Sequence, residues 1–318
     1  MTKKIACRKL IEYWPSKGHK EQMNTEKQMT NEKKMINDEM NYFFGFSRGS
    51  YGEVLGDLSR TQVNSCKTSS IALAEFWQPA NLEAIRRMFE HVLPDFNPEI
   101  ALKFFEFPTE ALFDGERVGR PSMTDIMILD SDLQMAIEGK QTEYVRYKDK
   151  TIREWLEEMP GCTDIMLRRR VLRAWIRYIH HADCTGLADY AEFLKNCMDV
   201  SYQFLHRTAS ACNKAGAGTN SMPVLVYQLF FDAKDVEHIA KLQEFKADLR
   251  RWAVTLKLQN MKFLIVSVPV VNMAEVETRF AGWHGEIFDA MRHQTIYRFD
   301  FDGITVETVV NDKAAGNA

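Results

Sequence analysis

The sequence predicts an α/β fold: a mixed central sheet flanked by helices on both faces, with extra helices between the third and fourth strands. Three observations carry this. Runs such as "VLVYQLFF" and "KFLIVSVPVV" are apolar on both faces, as strands of a doubly covered sheet are. The element patterns run helix, three strands, helices, then strand, helix, strand. A chain of 318 residues, 45% apolar and 27% charged, suits a soluble globular protein with a substantial core.

From about Lys17 to Asn41 the chain is polar, with isolated methionines at 23, 29, 35 and 40. It can bury little, so residues 1–41 read as a solvated helix or a disordered extension. A single domain is expected over 42–311, with a helical insertion at about 149–215 and a tail at 312–318. "CKTSSIALAEFWQP" predicts a helix capped by Ser69 or Ser70 and ended before Pro79, and "NLEAIRRMFEHVLP" a second one capped by Asn81. "IALKFFEF", Ile100 to Phe107, predicts a strand. The loop "PTEALFDGERVGRPS" leads to two more, Thr124 to Leu129 and "LQMAIEGK", joined by a turn at Asp130 to Asp132. "TIREWLEEMP" sets Thr151 and Glu154 at capping-box spacing and stops at Pro160. Two long helical stretches are expected, about Thr163 to His181 and Leu187 to Lys214. "SMPVLVYQLFF" predicts a fourth strand, "DAKDVEHIAKLQEFKADLRRWAVTL" a helix, "KFLIVSVPVV" a fifth strand and "AEVETRFAGWHGEIFDAMRH" a helix. The end, "TIYRFDFDGITVETVV", predicts a hairpin turning at Asp302-Gly303.

The net charge of −3 announces neither a nucleic-acid nor an anionic-membrane partner, so any basic surface is local. No run approaches the roughly 18 apolar residues needed to span a bilayer, and "MTKKIACRKLIEYWPSKGHK" lacks an apolar signal core. The expectation is a cytoplasmic protein with no membrane partner. Six cysteines at 7, 66, 162, 184, 197 and 212, none in a Cys-x-x-Cys pair, read as buried fillers. "HHADC", His180 to Cys184, offers ligand types for a metal without a second ligand pair at a plausible spacing, and a polar helix end is the plainer reading. No Walker lysine loop is present. "GAGTNS", Gly216 to Ser221, precedes a strand where a phosphate loop would follow one.

Two neighbouring strands each carry an acid in an apolar setting. Residues i and i+2 share a face of a strand, so Glu138 and Lys140 project together while Ile137 and Gly139 point away. Asp125 projects into the same corner from the next strand. Buried carboxylates need a partner or a cation, and a close pair attracts a hard divalent ion, with a lysine beside it to hold water or offset developing charge. The plain alternative is a water-exposed Glu138–Lys140 ion pair at a strand end. Glu106, read as facing solvent on an edge strand, and Glu143, read as capping a turn, are lesser candidates. Tyr227 and Gln228, on the fourth strand, are within reach of the corner or part of the core. Arg169, Arg173 and Arg177 form a basic stripe opposite Leu172, Trp175, Ile176 and Ile179, suited to phosphates or simply solvated.

Asp125 followed by "EGK" at Glu138 to Lys140, within this order of elements, resembles the PD-(D/E)XK nuclease superfamily, the restriction-endonuclease-like fold. "SSIALAEFW" near Ser69 and "EGKQTEY" near Glu138 look like a bacterial restriction-endonuclease-like subgroup with a Ser-Ser-x-Ala helix before a Glu-x-Lys-x-Thr-Glu segment. The resemblance spans roughly Ser65 to Phe231 and departs from the pattern at Thr124, which stands in place of a proline that is often absent. It implies Asp125, Glu138 and the carbonyl of Gly139 as metal ligands, Lys140 as catalytic and Glu75 as an additional acid. It further implies Mg²⁺, replaceable by Mn²⁺, as cofactor, and DNA as substrate. The activity implied is a hydrolytic endonuclease or exonuclease of restriction or defence against foreign DNA, with a homodimer left open. The alternative is a catalytically inactive nuclease-like module that binds DNA or protein.

Overall fold

A computed structural model describes residues 41–61, 68–141, 144, 150–158, 162–213 and 221–309, with 162–164 by backbone alone. The expected extension up to residue 40, Cys7, Cys66, Glu143, residues 216–220 of the glycine-rich segment and the tail lie outside the described residues.

Among the described residues ten strands form in chain order: β1 (Tyr42–Phe44), β2 (Ser47–Gly49), β3 (Leu102–Thr109), β4 (Leu112–Phe113), β5 (Glu116–Arg117), β6 (Ser122–Leu129), β7 (Leu133–Lys140), β8 (Met222–Phe231), β9 (Lys262–Pro269) and β10 (Thr305–Thr308). The helices are α1 (Tyr51–Leu58), α2 (Ser69–Phe76), α3 (Leu82–Phe89), α4 (Ile152–Glu157), α5 (Cys162–His181), α6 (Tyr190–Cys197), α7 (Tyr202–Cys212), α8 (Val236–Thr255), α9 (Met273–Arg279) and α10 (Glu286–Met291). β4 and β5 pair as a small separate hairpin. The other eight strands form one sheet in the order β10-β9-β8-β7-β6-β3-β1-β2. β6 is antiparallel to β3 and β7, while β8 runs parallel to β7 and β9, so the sheet is mixed.

Alternation along the central strands makes two cores. Ile126, Ile128, Met135, Ile137, Val224 and Val226 meet α1, α2 and α3 on one face, together with α9 and α10. Met127, Ala136, Leu225 and Tyr227 meet α5, α6, α7 and α8 on the other. Strands buried on both faces therefore read as continuous apolar runs. The apolar side of the basic helix, Leu172, Trp175, Ile176 and Ile179, is buried.

Four segments depart from the sequence reading. The stretch expected as one helix over Leu187 to Lys214 is two, because Ser201 caps a fresh start: its Oγ accepts from the Gln203 N–H at 3.2 Å, and the intervening chain bonds to residues 150–153. Gly282, at φ +79°, separates α9 from α10, a conformation glycine adopts without a Cβ penalty. Asp302-Gly303 makes a 3₁₀ turn instead of a hairpin, and β10 pairs with β9. β1 and β2 add an edge that places β3 inside the sheet, so the edge-strand reading of Glu106 is corrected. The Thr151–Glu154 capping box forms in both directions, and α2 starts after Thr68 rather than Ser69.

Among the described residues no helix is long and apolar enough to cross a membrane. Cys184, Cys197 and Cys212 are buried, and burial pushes the Cys197 thiol up to about 12. Cys184 donates weakly to the Ala182 and Asn260 carbonyls, closing the end of α5 as a packed turn.

α2 lies so close to β7 that a Cβ on Gly139 would stand 3.0 Å from the Ser69 Cβ and 3.2 Å from the Leu73 Cδ2. Overpacking of this kind costs about 1–3 kcal/mol. Gly139→Ala should lower stability by that order in urea melts, and adding Ser69→Gly should recover part of the loss; a neutral Gly139→Ala would contradict the packing.

Candidate functional site

β6 and β7 pair from Leu129↔Gln134 to Ile126↔Ile137 and then stop, although both strands continue. Beyond that point β6 stays with β3, down to Ser122↔Thr109, and β7 stays with β8, up to Lys140↔Leu229. The sheet forks between Asp125 and Glu138. The Gly139 N–H, which would otherwise lack its ladder partner, donates to the Asp125 Oδ2 at 2.8 Å, so a side chain bridges the fork where backbone pairing ends.

Glu138 and Lys140 share the face covered by α7, and both are buried. The Lys140 Nζ stands 2.9 Å from the Glu138 Oε1. The water-exposed ion pair considered above therefore forms as a pair, but inside the protein. From α7, the Gln203 amide donates to the same oxygen at 3.0 Å, and the Arg207 Nε closes on the other oxygen, Oε2. The Arg207 Nη1 donates to the Ser122 Oγ at 3.1 Å and to the Met123 carbonyl, and its Nη2 lies 4.0 Å from the Asp125 Oδ1. Because guanidinium can only donate, the Ser122 Oγ accepts from Arg207, and it also hydrogen-bonds the His206 Nδ1, 2.8 Å away. Burial, with Arg207 and Lys140 nearby, holds His206 well below its ordinary value, so the ring is neutral.

The two acids part in their affinity for protons. Burial, then repulsion from Glu138, raises Asp125 well above the usual carboxylate range. Burial also penalises ionised Glu138, but Arg207 and Lys140 outweigh it and hold this carboxyl below its ordinary value. Glu106 sits opposite Asp125 on β3 with φ 51°, a left-handed backbone that is strained for a non-glycine residue. Burial raises its pKa; Arg207 opposes this and Glu138 adds to it.

Other expected residues lie elsewhere. Glu75 does not join the corner, because its carboxylate accepts the N–H groups of Ile296 and Tyr297, each at 2.7 Å. Tyr227 is wholly buried against Phe204, Phe245 and Phe263. Gln228 serves the opposite core, accepting from the Trp77 indole at 3.0 Å. Arg169, Arg173 and Arg177 are exposed; Arg177 faces Asp114 at 3.4 Å and Arg173 lies over the Tyr190 ring.

The sequence reading missed Gln203 and Arg207. Their signal was present: two polar residues one turn apart in "YQFLHRTASAC", a helix otherwise buried at Phe204, Leu205, Thr208, Ala209, Ala211 and Cys212.

The donor chemistry of the corner suits a hard divalent cation, with two carboxylates and a strand carbonyl. Among the described residues no group of three or more His, Cys, Asp and Glu stands ready to hold a metal ion, and both Glu138 oxygens already face protein cations or donors. The family described as "Domain of unknown function (DUF6946)" matches residues 51–272. The chain belongs to this family. Its matched stretch contains the fork, α7 and every residue of the corner. No curated protein and no solved structure matches the chain.

Glu75 gives the fold a pH dependence. Burial pushes its carboxyl up to about 7, against the lowering effect of its two N–H donors. A carboxyl raised on folding contributes stability that is complete below its unfolded value near 4.5 and is lost as pH rises through about 7. Glu75→Gln should be less stable throughout, because its amide N–H₂ meets a backbone donor. Its stability gap from the wild type should narrow by up to about 1.4 kcal/mol per pH unit between those values, measured by urea melts; a constant gap would refute the shift.

Proposed function

We propose that this protein is a metal-dependent nuclease of the PD-(D/E)XK type that hydrolyses phosphodiester bonds in DNA. The observation that carries the reading is the fork in the sheet, which brings Asp125, Glu138 and Lys140 together with the Gly139 N–H tied to Asp125. The sequence α2, β3, β6, β7, intervening helices, β8 supports a restriction-endonuclease-like fold. Asp125 and Glu138, with the Gly139 carbonyl, would hold Mg²⁺ or Mn²⁺, which supplies Lewis acidity toward a phosphoryl oxygen and a more acidic bound water. Lys140 keeps an ammonium at the same corner, placed to offset charge on the reacting phosphate. Restriction or defence against foreign DNA is the setting that the sequence resemblance suggests.

The second reading, an inactive nuclease-like module that binds DNA or protein, is favoured by one observation: Glu138 is fully engaged by Lys140, Gln203 and Arg207. Incubation with plasmid, linear and single-stranded DNA, with Mg²⁺ or with EDTA, separates the two. Cleavage with Mg²⁺ and none with EDTA is expected. Lys140→Ala should abolish it and, because Lys140 is a partner of buried Glu138, should also lower stability while Gln203 and Arg207 keep the chain folded by circular dichroism; undiminished cleavage by this variant would overturn the role of Lys140. If the exposed arginines meet the DNA backbone, replacing Arg169, Arg173 and Arg177 with Gln should flatten the salt dependence of binding by about one charge per lost contact. An unchanged slope would make the stripe a solvated face.

A further inference from the structure

From the corner's own contacts, and resting on the reading of it as a metal site, we infer that Arg207 is a resident counter-cation. It holds the Asp125–Glu138 pair in place of a metal and must swing away before a divalent cation can bind.

Three features carry this. First, the guanidinium lies across the two carboxylates a metal would need, with Nε on the Glu138 Oε2 and Nη2 4.0 Å from the Asp125 Oδ1. A divalent ion placed between these acids would face that positive charge at contact range, in surroundings that screen it poorly. Second, the buried pair cannot stand uncompensated. Lys140 and Arg207 already stand against the carboxylates, so the corner is compensated without a metal. Third, Arg207 has an outward route. Its Nη1 is tethered to the Ser122 Oγ and the Met123 carbonyl, Met123 is 40% exposed, and the Asp125 side chain is 23% exposed where Glu138 is 3%. A swing of the side chain would carry its fork-shaped donor from the carboxylates toward this exposed side, where a nucleic-acid phosphate offers it a bidentate partner.

Metal and nucleic-acid phosphate then bind cooperatively, because each favours the same displaced position of Arg207. Without nucleic acid the wild type should bind metal weakly.

The test is titration of Mn²⁺ in the absence of nucleic acid, following free Mn²⁺ by electron paramagnetic resonance, on the full chain. Arg207→Gln should bind Mn²⁺ at least tenfold more tightly than wild type, and Glu138→Gln placed in the same chain should abolish the gain. Arg207→Lys keeps the charge but has a single-point head that cannot span both acids, and should bind Mn²⁺ several-fold more tightly than wild type. It decides the matter if Arg207→Gln fails to fold. Equal affinity in wild type and the Arg207 variants, lost with Glu138→Gln, would overturn the role of Arg207 and leave the metal corner standing. No binding by any variant would overturn the metal corner, and this inference with it.

Discussion

Glu138 is an ionised carboxylate at the end of a strand that is buried along its whole length, and the surrounding architecture is organised around answering that charge. A lone ion there would cost several kcal/mol. Lys140 answers it from the same strand, two residues on. Gln203 and Arg207 answer it from α7, which requires α7 to lie across β6, β7 and β8 with its polar pair turned inward. The interruption between α6 and α7 follows from this: a continuous helix from Tyr190 would not be free to restart at Ser201 in the direction that aims Gln203 and Arg207 at the strand end.

The fork completes the arrangement. Where β6 and β7 part, backbone groups lose their partners, and the Asp125 carboxylate takes over for the Gly139 N–H. Gly139 must lack a side chain because α2 presses on that face, and the neighbours Glu138 and Lys140 consequently meet α7 on the other. The two faces of β7 thus divide the labour: the α2 face fixes position, and the α7 face carries charge. Glu75 belongs to the first. It ties the segment at Ile296 and Tyr297 to the core, far along the chain from the helix that bears it.

Much of this was legible in the sequence wherever local pattern decides the outcome. The doubly apolar runs of β8 and β9, the capping box at Thr151, and the Glu-x-Lys spacing that sets Glu138 and Lys140 on one face are all properties of residues a few positions apart. What was not legible depends on contacts across long stretches of chain. The engagement of Glu75 needs a partner 221 residues away. Arg207 meets Glu138 only through packing of α7, and its isolation in an apolar helix hints at a buried role without naming the partner. Glu106 was read as facing solvent because nothing local announces β1 and β2, short strands whose pairing covers β3. The C-terminal hairpin failed for a related reason: β10 pairs with β9 in preference to the chain just before it.

The corner joins two acids and two cations in a space that a metal ion and a phosphate would need to share. Diffraction from crystals of the protein bound to a short DNA duplex, grown with Mn²⁺ and recorded at the manganese absorption edge, tests this most directly. An anomalous peak between Asp125 and Glu138, with the Arg207 guanidinium turned away from Glu138 onto a DNA phosphate, is the expected result. Arg207 still seated on Glu138, with no manganese at the fork, would contradict the assignment of this corner as a metal site.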